Sequence, residues 1–239
     1  NRNAKPTSKA DNLITDDDDY IALITREEIV GPRINSNIVN IKSNTMPASS
    51  GYFTTLATVY EISKKYEEFV IGKSPDISKL PSKADLNLAR KNITEFWDQF
   101  LEIEAYRSSL VNPDSSGDAR RVEIRKQSVL CRPIVMRAVA EATMTLLTSP
   151  NKDGSRLSFK EIVERINSLD WDPEGNKWEG IVMNGSSVIS GISAMKLAGR
   201  VIAYMLGQNL DPHELRTLKD HFAKDHPNVE FPERTFTAT

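Results

Sequence analysis

The chain has 239 residues, 39% of them apolar and 27% charged, with a formal net charge of −2. That length is enough to bury a sizeable core in one large domain or two small ones, and the near-neutral balance excludes a uniformly basic nucleic-acid binder while allowing a local basic face. The single cysteine, Cys131, excludes an intrachain disulfide and a cysteine-based zinc site, and no apolar run approaches the ~18 residues of a membrane span.

Residues 1–15 are polar and turn-rich and read as a connector or tail left by an upstream domain; a first residue of Asn rather than Met points the same way. Asp16 to Asp19 then precede Tyr20, Ile21, Leu23, Ile24 and Ile29. Carboxylates at that place suit the positive end of a helix dipole; an EF-hand would need alternating ligands, a central Gly and a distal Glu. Gly31-Pro32 ends this helix, and Ile38, Val39 and Ile41 fit a short strand. Thr54 or Thr55 caps the next helix, which carries Leu56, Val59, Tyr60, Ile62, Tyr66, Phe69 and Val70 at helical spacing. After a loop over residues 72–83, the run from Leu86 and Leu88 through Ile93, Phe96, Trp97, Phe100, Leu101 and Ile103 marks a long amphipathic helix. Residues 112–118, NPDSSGD, read as the plainest loop in the chain.

From Ala119 to Arg137 six basic residues stand against the single acid Glu123. Arg120, Arg121, Arg125 and Lys126 come before the core helix rather than in it, so they are the candidate phosphate-facing set, with an ordinary solvated surface as the alternative. Arg132 is a candidate partner in a buried ion pair instead. Pro133 opens the helix around which the chain is organised. Ile134, Val135, Ala138, Val139, Ala142, Met144, Leu146 and Leu147 leave only the narrow polar strip of Arg137, Glu141 and Thr145, so other helices should cover it. Cys131, among apolar neighbours, is expected to be buried and inert.

Ser158 with Glu161 forms a capping box that opens a helix through Phe159, Ile162, Val163, Ile166 and Leu169. Residues 178–193 are rich in small residues and ambiguous, and their glycines lack the spacing and ending of a phosphate-binding P-loop. Ala194 to Leu206 is helical and closed by Gly207, and Asp211 caps a last helix begun by Pro212. His213, His221 and His226 are spaced so that no two imidazoles share one face on adjacent turns, and they read as surface histidines.

Several short signatures run in order along the chain. They are Asn1 to Ser8, the Asp-rich helix entering Leu23-Ile24-Thr25-Arg26, Phe53-Thr54-Thr55-Leu56 with Val59-Tyr60, and Phe96-Trp97. Val129-Leu130-Cys131-Arg132-Pro133-Ile134, Leu169-Asp170-Trp171 and Trp178-Glu179-Gly180 follow. With these the chain resembles the C-terminal two thirds of the DGQHR-domain family of DndB-like DNA sulfur-modification (phosphorothioation) proteins. The Asp-Gly-Gln-His-Arg signature that names the family is absent, and the resemblance places it in a ParB-like α/β half upstream of Asn1.

The fold expected is therefore mainly α, a multi-helix domain over residues 16–226 with at most a short strand or hairpin, and a C-terminal tail over residues 227–239. The resemblance implies a cytoplasmic DNA-binding regulatory or accessory protein of a DNA-modification and defence system. Double-stranded DNA, other proteins of the modification complex and a second copy of the chain are the candidate partners; no membrane and no cofactor are implied. Two alternatives stand beside it: a helical lid or clamp of a nucleotide hydrolase or nuclease whose active site lies upstream, and a protein–protein assembly domain. Arg120, Arg121, Arg125 and Lys126 are the candidate nucleic-acid-binding residues, and the chain holds no catalytic constellation.

Overall fold

The protein is described from a computed structural model covering residue 13 and residues 16–111, 114–174 and 176–237. The expected connector and the Asn1–Ser8 signature lie outside the described residues, apart from Leu13. The described chain is mainly helical, with only two-residue strands, as the apolar spacing requires. No helix among the described residues is long and apolar enough to cross a membrane. Two compact units are present, one made of the described residues up to Asp98 with Ser109–Val122, the other of Gln99–Ser108 with Glu123 onward.

In the first unit, α1 (Tyr20–Ile24) continues as a π-helix, Thr25–Ile29. Asp19 is the N-cap: its Oδ1 accepts from the Ile21 and Ala22 amides, while Oδ2 accepts from the Tyr60 hydroxyl at 2.6 Å. One of the four carboxylates thus ties α1 to α2 (Leu56–Ile71), which Thr55 caps. A parallel pair, β1 (Val39–Asn40) on β2 (Thr54–Thr55), leads the chain into α2, and Gly72, in the left-handed region at φ 70°, ends it. The long helix α3 (Lys83–Phe100) packs Phe96 on Tyr66 with ring centroids 4.3 Å apart, and Trp97 Nε1 donates to Ser63 Oγ. Leu88, expected on the apolar face of this helix, is instead exposed.

Asn112 and Pro113 lie outside the described residues, but the expected loop is shorter than its composition suggests. Helix α5 already begins at Ser115 and runs to Gln127. Asp114 supplies the reason: its Oδ1 accepts the Gly117 amide, the N-cap bond that an Asp-Ser-Ser run can make as readily as a turn.

The second unit contains α4, whose range is Glu104–Ser109, up to Ser108. It is built on α6 (Pro133–Thr148), preceded by a 3-10 turn at Val129–Cys131. Val135, Met136, Ala138, Val139, Ala140, Ala142 and Leu146 of α6 are all buried, and Arg137, Glu141 and Thr145 form the half-covered strip. Helix α7 (Phe159–Ser168) opens with the Ser158/Glu161 capping box. Trp171 and Trp178 then stack with centroids 4.1 Å apart and planes 7° from parallel. The ambiguous small-residue stretch becomes an antiparallel hairpin, β3 (Met183–Asn184) with β4 (Ser187–Val188), leading to α8 (Ile192–Met205). Gly199 lets α8 lie directly on α6: an added Cβ there would stand 2.9 Å from Glu141 Cβ and 3.1 Å from the Ala138 carbonyl oxygen. Helix α9 (Pro212–Asp225) is capped by Asp211. After it, Phe231 packs on Phe222 and Tyr204, and the Thr235 and Phe236 amides donate to the Met205 carbonyl.

Candidate nucleic-acid interface

The basic segment belongs to α5, so its side chains are distributed around a helix and meet different surroundings. Arg120 is exposed and has no hydrogen-bond or ion-pair partner among the described residues. Lys126 is exposed and lies 3.9 Å from Glu123, a surface pair of small energetic weight. Arg121 and Arg125 are fully covered, so within the candidate phosphate-facing set these two turn inward while Arg120 and Lys126 face solvent.

The reason is their length and fork geometry. Arg121 reaches past Asp118, whose Oδ1 takes Nη2 at 2.6 Å, to donate to the carbonyls of Gly51, Ser109 and Val111. A planar guanidinium with five donors satisfies several loop carbonyls at once, which a lysine cannot. Gly51 accommodates this approach, since a Cβ there would fall 2.7 Å from Asp118 Cγ. Arg125 lies in the second unit, where its Nε donates to the Cys131 carbonyl at 3.2 Å and supports the turn before Pro133. Cys131 is itself buried, its thiol 3.6 Å from the Ala105 carbonyl oxygen, as the apolar setting predicts.

Arg132 was the candidate for a buried ion pair, and the structure gives it a main-chain acceptor instead. Its Nη2 donates to the Arg125 carbonyl at 3.4 Å, its Nε is covered without a partner, and no carboxylate pairs with it among the described residues. Burial holds its pKa below the usual guanidinium range. A half-covered cation that no acid compensates is costly unless an anion arrives from outside. The sequence carries a signal for this: Ser128, Val129, Val135 and Met136 stand three and four positions away on either side, so no acid lies within one helical turn of Arg132.

No group of three or more His, Cys, Asp or Glu side chains is arranged to hold a metal among the described residues. The three histidines are scattered: His213 and His221 are exposed, and His226 lies partly covered against Phe222 and Gly180.

No curated protein and no solved structure matches the chain. A family model does, over residues 1–209, and its description is DndB, DNA-sulfur modification-associated. The matched span holds the caps of α1 and α2, the α3 aromatics, the Arg-Pro start of α6, and α6, α7 and α8, so the resemblance carried by those short signatures rests on most of the chain. The chain belongs to the DndB family of DNA-sulfur modification-associated proteins.

Proposed function

We propose that this protein is a DNA-binding regulatory or accessory component of a DNA sulfur-modification system, acting in the cytoplasm on double-stranded DNA and alongside the other proteins of that system. The observation that carries the reading is Arg132, a half-covered guanidinium without an acid partner. It donates to the carbonyl of Arg125, the residue before the exposed Lys126. Cations held this way at the end of α5 suit a phosphate backbone, which supplies the missing negative charge and releases counterions from the duplex. Arg120, exposed and unpaired, offers the same chemistry in the first unit. Contacts of this kind orient a protein on DNA without reading its sequence.

The test is a salt series of fluorescence-anisotropy titrations with duplex DNA on the wild type, Arg120→Ala, Lys126→Ala and Arg132→Gln. Each phosphate contact removed flattens the slope of log affinity against log salt by about 0.9, whatever the duplex sequence. Identical slopes and affinities for all four proteins would reject these cations as the interface. Arg121 and Arg125 are left intact because their loss would report on folding.

A further inference from the structure

In the second unit, α6, α8, α9 and the turn joining α8 to α9 border an open groove of about 490 Å³. That volume falls in the range of small-molecule sites, about 300–1,000 Å³. Its walls combine the apolar side chains of Leu210 and Leu218 with Arg200, His213, Gln208, Glu214, Thr145 and Thr217.

Arg200 is the cation of this groove. It is exposed on α8, has no acid partner among the described residues, and makes one polar contact, Nη1 to His221 Nδ1 at 3.4 Å. An imidazole does not neutralise it, so the guanidinium keeps its charge and its donor fork for an anion.

The other polar groups face the groove mainly as acceptors. Thr145 and Thr217 spend their hydroxyl protons on the Glu141 and His213 carbonyls within their own helices, which leaves the oxygen lone pairs. Gln208 uses its amide nitrogen on Ser149 Oγ and keeps its carbonyl oxygen. Glu214, also lining the groove, spends Oε2 on the Asp211 amide at the start of α9 and keeps its second oxygen. One cation at one place and several acceptors elsewhere, over an apolar floor, match a ligand with a single anionic group and several hydroxyl or amine donors.

We infer that this groove binds a small phosphate monoester that carries hydroxyl or amine donors, of the size of a mononucleotide. Arg200 takes the phosphate, and Thr145, Thr217, Gln208 and Glu214 accept from the sugar or base. This site is separate from the cations of α5 and stands whether or not those contact DNA.

Isothermal titration of the whole chain with AMP, adenosine, inorganic phosphate and a short single-stranded oligonucleotide tests it, on the wild type, Arg200→Gln and Thr217→Leu. The expected result is AMP binding that weakens at least tenfold in Arg200→Gln, since a charge-assisted contact is worth about 1.4 kcal/mol or more. Thr217→Leu, which fills the groove, weakens it similarly, and adenosine binds at least tenfold more weakly than AMP. Both changed side chains lie at the surface, and unchanged melting temperatures confirm intact folds. If the oligonucleotide binds at the same site and displaces AMP, the phosphate comes from a strand as well as from a free nucleotide, which supports the assignment. Equal binding of AMP and adenosine, an unchanged affinity in Arg200→Gln, or no wild-type binding of AMP at millimolar concentration would overturn it.

Discussion

Arg121 and Asp118 sit one helical turn apart on α5, with Nη2 2.6 Å from Oδ1; the arginine side chain is wholly covered, while the aspartate is 57% exposed. The pair joins the first turn of the helix to a guanidinium that also collects main-chain carbonyls. Arg121→Ala leaves those carbonyls unsatisfied and removes a large covered side chain, at a cost of about 3–5 kcal/mol. Arg121→Lys recovers little of this, because an ammonium cannot reproduce the fork. Urea denaturation checks it, with Arg120→Ala as the exposed neighbour expected to stay within about 0.5 kcal/mol of wild type.

The centre of the second unit is tested at Val139, which is 0% exposed in α6. Val139→Asp buries an unpaired carboxylate at a cost on the order of the net stability of a domain, about 5–15 kcal/mol. Circular dichroism should show lost helix and no cooperative melt. A soluble variant with unchanged melting would show that α6 is not central.

Gly199 tests the contact of α8 with α6. Alanine is the better helix former by about 1 kcal/mol, but its methyl would press on Glu141 Cβ and the Ala138 carbonyl, and overpacking costs about 1–3 kcal/mol. The expected outcome is a lower melting temperature for Gly199→Ala, and a larger drop for Gly199→Val.

Cys131→Ala should lose about 1 kcal/mol and keep DNA binding, since it is a small core truncation and the contact of the thiol with the Ala105 carbonyl is weak. In the native protein a thiol reagent should react slowly, and in denaturant at once. Rapid native labelling would contradict the burial.

Glu67 sets a pH dependence. It is buried on α2, its Oε2 has no hydrogen-bond partner, and burial raises its pKa above the usual carboxylate range. The folded state therefore binds the proton more tightly than the unfolded chain. The stability this group contributes is complete below the ordinary carboxylate pKa and is lost as pH rises through the raised folded value. Glu67→Gln, neutral throughout, should melt higher than wild type at neutral pH. The gap should close on acidification towards pH ~4; a gap that stays constant with pH would refute it.

Most of the helices were legible because their signals are local. Thr55, Ser158 and Asp211 each place a side-chain oxygen where a helix start needs one, and the apolar pattern of α6 leaves one narrow polar strip at Arg137, Glu141 and Thr145. The inward turn of Arg121 and Arg125 is not legible for the opposite reason. Whether an arginine faces water or a ring of loop carbonyls depends on where residues 51, 109 and 111 lie, and nothing adjacent to Arg121 announces them. The groove around Arg200 is equally non-local, drawing on α6, α8 and α9 together. The hairpin of residues 183–188 escaped assignment because strands of two residues carry too few side chains for alternation to register.

The segment after α9 has a practical consequence. The family match ends at residue 209, yet Phe231 lies on Phe222 and Tyr204, and the Arg234 guanidinium sits 4.9 Å from the centre of the Tyr204 ring. A fragment trimmed to the matched span loses α9 and this strap together and leaves the end of α8 bare. Such a fragment should aggregate during expression and recruit chaperones, so the unit worth producing includes the strap as far as Phe236, whose amide donates to the Met205 carbonyl.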